Sequence, residues 1–131
     1  MRREDLKRLH ALNREIEHEK RLLATLKNNR EYIGIAGIGV IRRTDYSDEI
    51  TALSAKIDAH VKECFTLYNE ILDFINDIGD PLIRLIISLR YINALEWGQI
   101  ALHIGGGNTK ESVRKTCERF LSSIFGDAGE I

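Results

Sequence analysis

The residues best suited to chemistry lie between positions 110 and 119, where cationic side chains alternate with small polar ones. If this stretch is a helix, an apolar stripe at helical spacing faces the core and the charged positions face solvent. The stripe consists of Val113, Cys117, Phe120, Leu121 and Ile124. Polar side chains at the start of such a helix can reach base edges, and flanking cations can neutralise phosphates. The candidate contact residues are Lys110, Glu111, Ser112, Arg114, Lys115 and Arg119.

Three further residues are candidates for phosphate contacts. Arg84 and Arg90 lie on the polar face of an earlier helix. Thr109 lies near the start of the last helix, where free backbone N–H groups favour an anion. The glycines before Thr109 do not predict a nucleotide-binding loop, because no strand precedes them and the Gly-Lys-Ser/Thr signature is absent.

Catalytic and metal-binding chemistry find little support in the sequence. The histidines are scattered, and no cysteine–histidine or carboxylate pair has the spacing of metal ligands. We therefore expect no catalytic residue, no metal and no cofactor. His10 and His18 are expected to be exposed on the first helix. Cys64 and Cys117 are expected to be core residues rather than redox thiols.

Three helices must position the candidate contact residues. Asp80 can cap free backbone N–H groups and Pro81 suits the first helical position. The first of these three helices therefore begins there and ends near 91–93. A second helix spans 96–103, a glycine turn follows, and the last helix begins at Asn108 or Thr109, each of which fits a capping arrangement. The residues expected to be buried in the first two helices are Leu82, Leu85, Ile86, Leu89, Trp97, Ile100, Ala101 and Ile104.

Two long helices precede this module. The first spans 3–27, with Asn28-Asn29 as its stop signal, and the second spans 47–78. In the second, Ile50, Ile57, Cys64, Ile71 and Ile78 repeat every seven residues, which is typical of a helix that packs along its length. An antiparallel hairpin that pairs Leu26 with Leu53 brings Glu19 opposite His60. These two residues either form a buried pair or both face solvent.

A glycine-rich loop at about 30–46 separates the two long helices. Three glycines among β-branched residues argue against a stable helix. The loop is then a short extended segment, a mobile connection, or a strand that pairs with a second copy. It also allows each long helix to pair within the chain or with another chain.

Composition and charge predict an all-α, cytoplasmic protein. The chain has 131 residues, one proline and 44% hydrophobic residues. Its net charge is −1, and this charge is unevenly distributed. Residues 1–30 have nine basic and five acidic residues (+4), and residues 31–80 have four basic and ten acidic residues (−6). Residues 81–120 have six basic and three acidic residues (+3), and the remaining residues contribute −2. No apolar run reaches the roughly 18 residues of a membrane span, and the charged N-terminus predicts no signal peptide.

The C-terminal module resembles a known family over about 78–121. The matching residues are Asp80-Pro81, Arg84, Leu89-Arg90-Tyr91-Ile92-Asn93, Trp97, Ile100-Ala101, Ile104-Gly105, Ser112-Val113-Arg114-Lys115 and Arg119. Together they resemble the sigma-70 region 4-like helix-turn-helix of phage and prophage regulators in Gram-positive bacteria. The preceding long helices are similar to that family's coiled-coil arm. Two departures are a longer glycine turn and Glu96 in place of the usual Ser or Thr cap.

The resemblance implies a sequence-specific DNA-binding transcriptional regulator of phage or prophage genes, and not an enzyme. It implies that Ser112, Arg114 and Lys115 face double-stranded DNA, with Lys110 and Glu111 at the leading edge of the recognition helix. RNA polymerase is a further candidate partner. The long helices are expected to form a homodimer or a higher homo-oligomer, and no membrane partner is expected.

The expected architecture is all-α. A long antiparallel helical hairpin, which resembles a coiled-coil arm, occupies 1–79, and a three-helix sigma-70 region 4-like helix-turn-helix occupies 80–131. Two alternative functions stay open. One is a small-terminase-like DNA-packaging adaptor, and the other is a protein-only helical adaptor that docks on RNA polymerase.

Overall fold

The computed structural model describes the backbone of residues 1–35 and 46–126, and the side chains of residues 1–28 and 46–126. Over these residues the protein is all-helical and contains no strand, as the composition predicts. The helices are α1 (Arg3–Ile35), α2 (Ser47–Asn76), α3 (Pro81–Ile87), α4 (Trp97–Ile104) and α5 (Lys110–Phe125), and a π-helical turn over Ser88–Ile92 continues α3. None of the described helices is long and apolar enough to cross a membrane.

The chain divides into two compact units. Unit 1 comprises Met1–His10 and Thr66–Ile131, and unit 2 comprises Ala11–Phe65. The division cuts through α1 and α2, whereas the predicted domains are 1–79 and 80–131. The start of α1 groups with the C-terminal helices because its side chains bind them. Arg3 pairs with Glu118, and His10 Nε2 lies 2.6 Å from the carbonyl oxygen of Tyr91.

Within unit 2, residues of α1 meet residues of α2 in antiparallel order. The Cys64 thiol donates to Asn13 Oδ1 at 3.0 Å, and His60 Nδ1 lies 2.8 Å from Glu19 Oε1. Glu19 is only 3% exposed, so the predicted buried Glu19–His60 pair is confirmed and the solvent-facing alternative is wrong. The hydrogen bond from His60 holds the pKa of Glu19 below its ordinary value, against the opposing effect of desolvation. The apolar residues buried in this unit are Leu12, Ile16 and Ile57.

Helix α1 extends beyond its predicted stop. The prediction that Asn28-Asn29 ends the helix is wrong, because α1 continues to Ile35. Asparagine inside a helix costs only about 0.7 kcal/mol relative to alanine, and Arg30 and Glu31 are favourable helix residues. The first part of the predicted glycine-rich loop is therefore helical. The rest of that prediction, at 36–45, lies outside the described residues.

The core of unit 1 combines the start of α1, the end of α2 and the C-terminal helices. On α2, the heptad residue Ile71 is buried as predicted, and Leu67 is buried as well. Ile78, the last residue of the predicted row, is also buried but follows the helix, because α2 ends at Asn76 rather than at the predicted residue 78. Complete burial of a leucine or isoleucine side chain contributes roughly 2 kcal/mol relative to exposure, so apolar packing dominates the assembly of these helices. The most deeply buried side chains include Leu6, Ile71, Ile86, Ile87, Ile100, Cys117 and Leu121.

Three predicted core positions are wrong. Leu82 and Leu85 of α3 are 43% and 39% exposed, whereas Ile87 is fully buried. The run from Leu82 to Ile87 is apolar on nearly every side, so its periodicity does not select the buried face. Ile124 at the end of α5 is 53% exposed. The neighbouring Phe125 packs instead, with its ring centroid 5.5 Å from that of Phe74.

The predicted start of α3 is confirmed. Asp80 Oδ1 accepts a hydrogen bond from Leu82 N at 2.9 Å, and Pro81 is the first helical residue. Helix α4 begins at Trp97, one residue later than predicted, with Glu96 as its N-cap. Gln99 Oε1 accepts a hydrogen bond from Glu96 N at 2.9 Å. The backbone N–H of the N-cap residue is thus satisfied by a side chain of the first turn, although Glu96 is not the usual Ser or Thr.

The cap of α3 can be tested by Asp80→Ala. Loss of the side-chain acceptor leaves a backbone N–H of the first turn without its partner, so the free energy of unfolding falls by about 1 kcal/mol. Urea denaturation followed by circular dichroism measures this change. The exposed Asp77, just after α2, provides the matched control, and Asp77→Ala changes stability by less than about 0.5 kcal/mol. Equal losses in the two variants would contradict the capping role.

The packing of α5 predicts that Cys117 resists thiol reagents. Burial raises the pKa of Cys117 to about 11, so only about a thousandth of the thiol is ionised at pH 8. Burial also raises the pKa of Cys64, but this side chain is only half-buried. Two folded variants with one cysteine each can be compared. Cys64 in the Cys117→Ser variant should react with a chromogenic disulfide at least about tenfold faster than Cys117 in the Cys64→Ser variant. Equal rates before unfolding would contradict the burial of this face of α5.

Candidate nucleic-acid interface

Helix α5 carries the predicted contact residues, and three buried side chains determine its orientation. Val113, Cys117 and Leu121 are 2%, 0% and 0% exposed, and their spacing of four places them on one side of the helix. Phe120 lies close to this side, with its ring centroid 6.3 Å from that of Phe74. Because these residues face the core of unit 1, the opposite side of α5 faces solvent.

The turn before α5 depends on glycine. Gly105, Gly106 and Gly107 have φ values of +71°, +64° and +78°, a region that residues with a Cβ atom rarely adopt. Asn108 closes the turn, since its Nδ2 donates to the carbonyl oxygen of Gly105 at 2.8 Å. Asn108 is therefore part of the turn, and Thr109 caps α5.

A reciprocal pair of hydroxyl groups forms the start of α5. Thr109 Oγ1 accepts from Ser112 N at 3.1 Å, and Ser112 Oγ accepts from Thr109 N at 2.9 Å. This arrangement is one of the two predicted from the sequence. It also engages the hydroxyl of Ser112, a predicted DNA-facing residue, in the structure of the helix itself. A base contact by Ser112 would have to share or replace that hydrogen bond.

Most of the predicted contact residues of α5 face solvent. Arg114 is half-buried. Glu111, Lys115 and Arg119 recur every four residues opposite the buried stripe, and we call this row the outward face of α5. Among the described residues, no carboxylate pairs with Lys115 or Arg119. The exposed members of the predicted set are Lys110, Glu111, Ser112, Lys115 and Arg119.

Arg114 forms an ion pair within its own helix. Its Nη2 donates to Glu111 Oε2 at 2.8 Å. This hydrogen bond lowers the pKa of Glu111 below its ordinary value and raises that of Arg114. Both side chains are partly exposed, so solvent screens the pair and its contribution to stability is small. In the free protein, the charge of Arg114 is thus compensated by a neighbour.

The second carboxylate of α5, that of Glu118, is turned towards α1. It pairs with Arg3, whose side chain is only 13% exposed. Arg3 Nη1 is buried and has no hydrogen-bond partner within the described residues. No pattern in the sequence predicts this role of Arg3. The pair orients Glu118 towards α1 and leaves Lys115 and Arg119 without a carboxylate neighbour from that position.

Arg84 and Arg90, which are predicted to contact phosphates, donate hydrogen bonds to backbone carbonyl groups. Arg84 Nη1 donates to the carbonyl oxygen of Ile78 at 2.6 Å and lies 3.3 Å from that of Gly79. Arg90 Nη1 donates to the carbonyl oxygen of Leu95 at 3.0 Å, and its guanidinium carbon lies 4.4 Å from the ring centroid of Trp97. Both side chains therefore brace the chain at the ends of α3. Their phosphate contacts stay a prediction.

The contact between His10 and Tyr91 was missed by the sequence analysis. A carbonyl oxygen only accepts, so His10 Nε2 must carry the proton in this 2.6 Å hydrogen bond. The prediction that His10 is exposed is wrong, whereas His18 is exposed as expected. Carbonyl groups at the end of a helix lack partners within it. No periodic signal in the sequence indicates that His10 supplies one.

A second group of polar side chains lies in unit 2. Besides the His60 contact, Glu19 has Lys56 Nζ 3.5 Å from its Oε2. Glu15 lies one turn before Glu19 on α1, and one ligand atom from each of Glu15, Glu19 and His60 lies within 4.8 Å of the others. The helical register predicted Glu19 opposite His60, but the participation of Glu15 was not predicted. The spacing of four between the two glutamates was the available signal.

Within the described residues, α5 thus presents an outward face with two cations, Lys115 and Arg119, that form no close ion pair with a carboxylate. A paired arginine and the helix cap lie beside this face. The helix-turn-helix resemblance, drawn from residues such as Trp97 and Lys115, stays a prediction. Comparisons of the chain with protein-family models, with curated proteins and with solved structures find no match.

Proposed function

We propose that this chain is a sequence-specific, DNA-binding transcriptional regulator that inserts α5 into the major groove. The observation that carries the proposal is the outward face of α5, where Lys115 and Arg119 are exposed on a helix whose other side is buried. The major groove, about 12 Å wide, admits one α-helix. A helix seated by its apolar side on a small core is the element that such a groove requires.

The two ends of α5 would have different tasks. Its first turn, with Lys110 and Glu111, would meet base edges, where a carboxylate can accept from the amino group of cytosine. Lys115 and Arg119 would contact phosphates and supply affinity that depends on salt. Arg114 could leave Glu111 for the DNA, because an exposed ion pair of this kind contributes less than about 1 kcal/mol.

The proposal also covers the other helices. The module of α3, α4 and α5 would be a helix-turn-helix of the sigma-70 region 4 type, and the long helices would form an arm for homodimer or higher oligomer formation. A two-fold dimer would bind two half-sites spaced by a whole number of helical turns. The phage or prophage origin and RNA polymerase as a partner rest on the family resemblance alone.

A protein-only helical adaptor is the second candidate. Leu102 of α4 is 85% exposed, and Leu82 and Leu85 of α3 are also exposed. Where exposed apolar side chains adjoin in one patch, they are typical of a surface that binds another protein. An adaptor would bind its partner, for instance RNA polymerase, through these leucines and would not need the cations of α5.

The double variant Lys115→Ala, Arg119→Ala tests the proposed phosphate contacts. We expect weaker binding to duplexes of any sequence, because both substitutions remove a positive charge from the outward face of α5. The slope of log K against log salt concentration is negative, and each lost phosphate contact reduces its magnitude by about 0.9, so the slope of the double variant is shallower by about 1.8. Fluorescence anisotropy with a labelled duplex at several salt concentrations measures both quantities.

Lys27→Ala is the matched control, because Lys27 is an exposed lysine on α1. Its removal should leave the salt slope unchanged. An equal loss in this control, or an unchanged slope in the double variant, would refute the placement of the interface. A wild-type chain without affinity for mixed-sequence DNA at low salt would favour the adaptor.

Glu111→Gln tests the role of the Glu111–Arg114 pair. The substitution removes a negative charge near the DNA and releases Arg114, so affinity for mixed-sequence duplexes should rise about tenfold at low salt, roughly one charge-assisted hydrogen bond. Selection of bound sequences from a random duplex pool should also reveal a changed base preference. Glu17→Gln, at an exposed position of α1, serves as the control. Identical affinity and base preference in Glu111→Gln and the wild type would exclude contact between Glu111 and DNA.

A further inference from the structure

Three side chains with ligand atoms converge inside unit 2. Glu15 and Glu19 lie one helical turn apart on α1, and His60 reaches them from α2. Each offers one nitrogen or oxygen atom, and these atoms all lie within 4.8 Å of one another. We infer that Glu15, Glu19 and His60 form a binding site for a divalent transition-metal ion.

The buried carboxylate of Glu19 is the observation that points to a cation. Its side chain is only 4% exposed. One oxygen accepts from His60, whereas the buried Oε2 receives no close hydrogen bond from the described residues and faces the Lys56 ammonium at 3.5 Å. A buried anionic oxygen is costly unless a positive charge compensates it. Lys56 supplies that charge, but its Nζ lies 3.5 Å from Oε2 and its side chain is 60% exposed. A metal ion bound to Oε2 would supply the charge at direct bonding distance.

The positions of the three side chains suit a first-row ion. Zinc–nitrogen and zinc–oxygen bonds of roughly 2.0–2.2 Å place two ligands of a tetrahedral ion about 3.4 Å apart. The 4.8 Å span of the present group is wider. Glu15 is exposed and free to change rotamer, so its carboxylate can move towards the other two ligands. Three protein ligands leave the fourth position of the ion to water.

The donor set selects the class of ion. An imidazole with two carboxylates is a mixed nitrogen and oxygen set, which suits Zn²⁺, Co²⁺ or Ni²⁺. Ca²⁺ and Mg²⁺ prefer oxygen ligands throughout. The ion would displace the Lys56 ammonium, which can turn into solvent on its flexible stem. Because its ligands come from both α1 and α2, a bound ion stabilises unit 2 in the folded state.

Titration of the full chain with Co²⁺ and then Zn²⁺ tests the site. We expect one Co²⁺ per chain with a visible absorption band, displacement of Co²⁺ by Zn²⁺, and a higher Tm with Zn²⁺. Glu15→Gln should weaken Co²⁺ affinity at least about tenfold, as expected for the loss of a ligand. Since Glu15 is exposed, the metal-free variant keeps the Glu19–His60 hydrogen bond and the fold. His60→Gln should abolish the band.

The Lys56→Gln variant should change the affinity for Co²⁺ in the opposite direction to Glu15→Gln. Removal of the competing ammonium should strengthen Co²⁺ binding by about tenfold. His18→Gln is the control, because His18 is an exposed histidine on α1 outside the group, and its affinity should match the wild type. The inference is overturned if no Co²⁺ band forms, if Glu15→Gln and Lys56→Gln both bind like the wild type, or if His18→Gln weakens binding as much as Glu15→Gln does.

Discussion

One buried stripe on α5 decides which of its charged side chains meet solvent. Val113, Cys117 and Leu121 are sealed in the core of unit 1, and the helical repeat then turns the residues halfway around the helix outward. Exposure of Lys115 and Arg119 is a consequence of this packing. The proposed interface therefore depends on an apolar interaction that touches none of its own charged groups.

Formal charge overstates the cations that are available for direct contact. Residues 81–120 carry a net charge of +3. Arg84 and Arg90, however, donate to backbone carbonyls near the two ends of α3, and Arg114 pairs with Glu111. All three still contribute to the electrostatic potential of the surface. Of the six cations in residues 81–120, Lys110, Lys115 and Arg119 form no such hydrogen bond or ion pair with another described residue, so they can approach an anion directly.

The buried charge in unit 2 has a different consequence. Glu19 would be costly in an apolar seam, and His60 with Lys56 compensates it. Such a pair favours one register of α1 against α2, because a shift along either helix would leave the carboxylate without its partner. The same compensation leaves Glu19 Oε2 with only the distant Lys56 ammonium beside it among the described residues, and the inferred metal site depends on this oxygen.

Local and periodic signals in the sequence determined much of the fold. The long helix α2 and the start of α3 at Asp80 were predictable, because each depends on neighbours in sequence or on a regular repeat. The same signals narrowed the cap of α5 to Asn108 or Thr109 and brought Glu19 opposite His60, but they did not decide between the two caps or show that the pair is buried. The exposed face of α5 followed from the same periodicity. Tertiary structure alone decided the buried face of α3, the partners of the arginines and the approach of Glu15 to His60. These features arise from contacts between residues far apart in the chain, whose geometry no local pattern encodes.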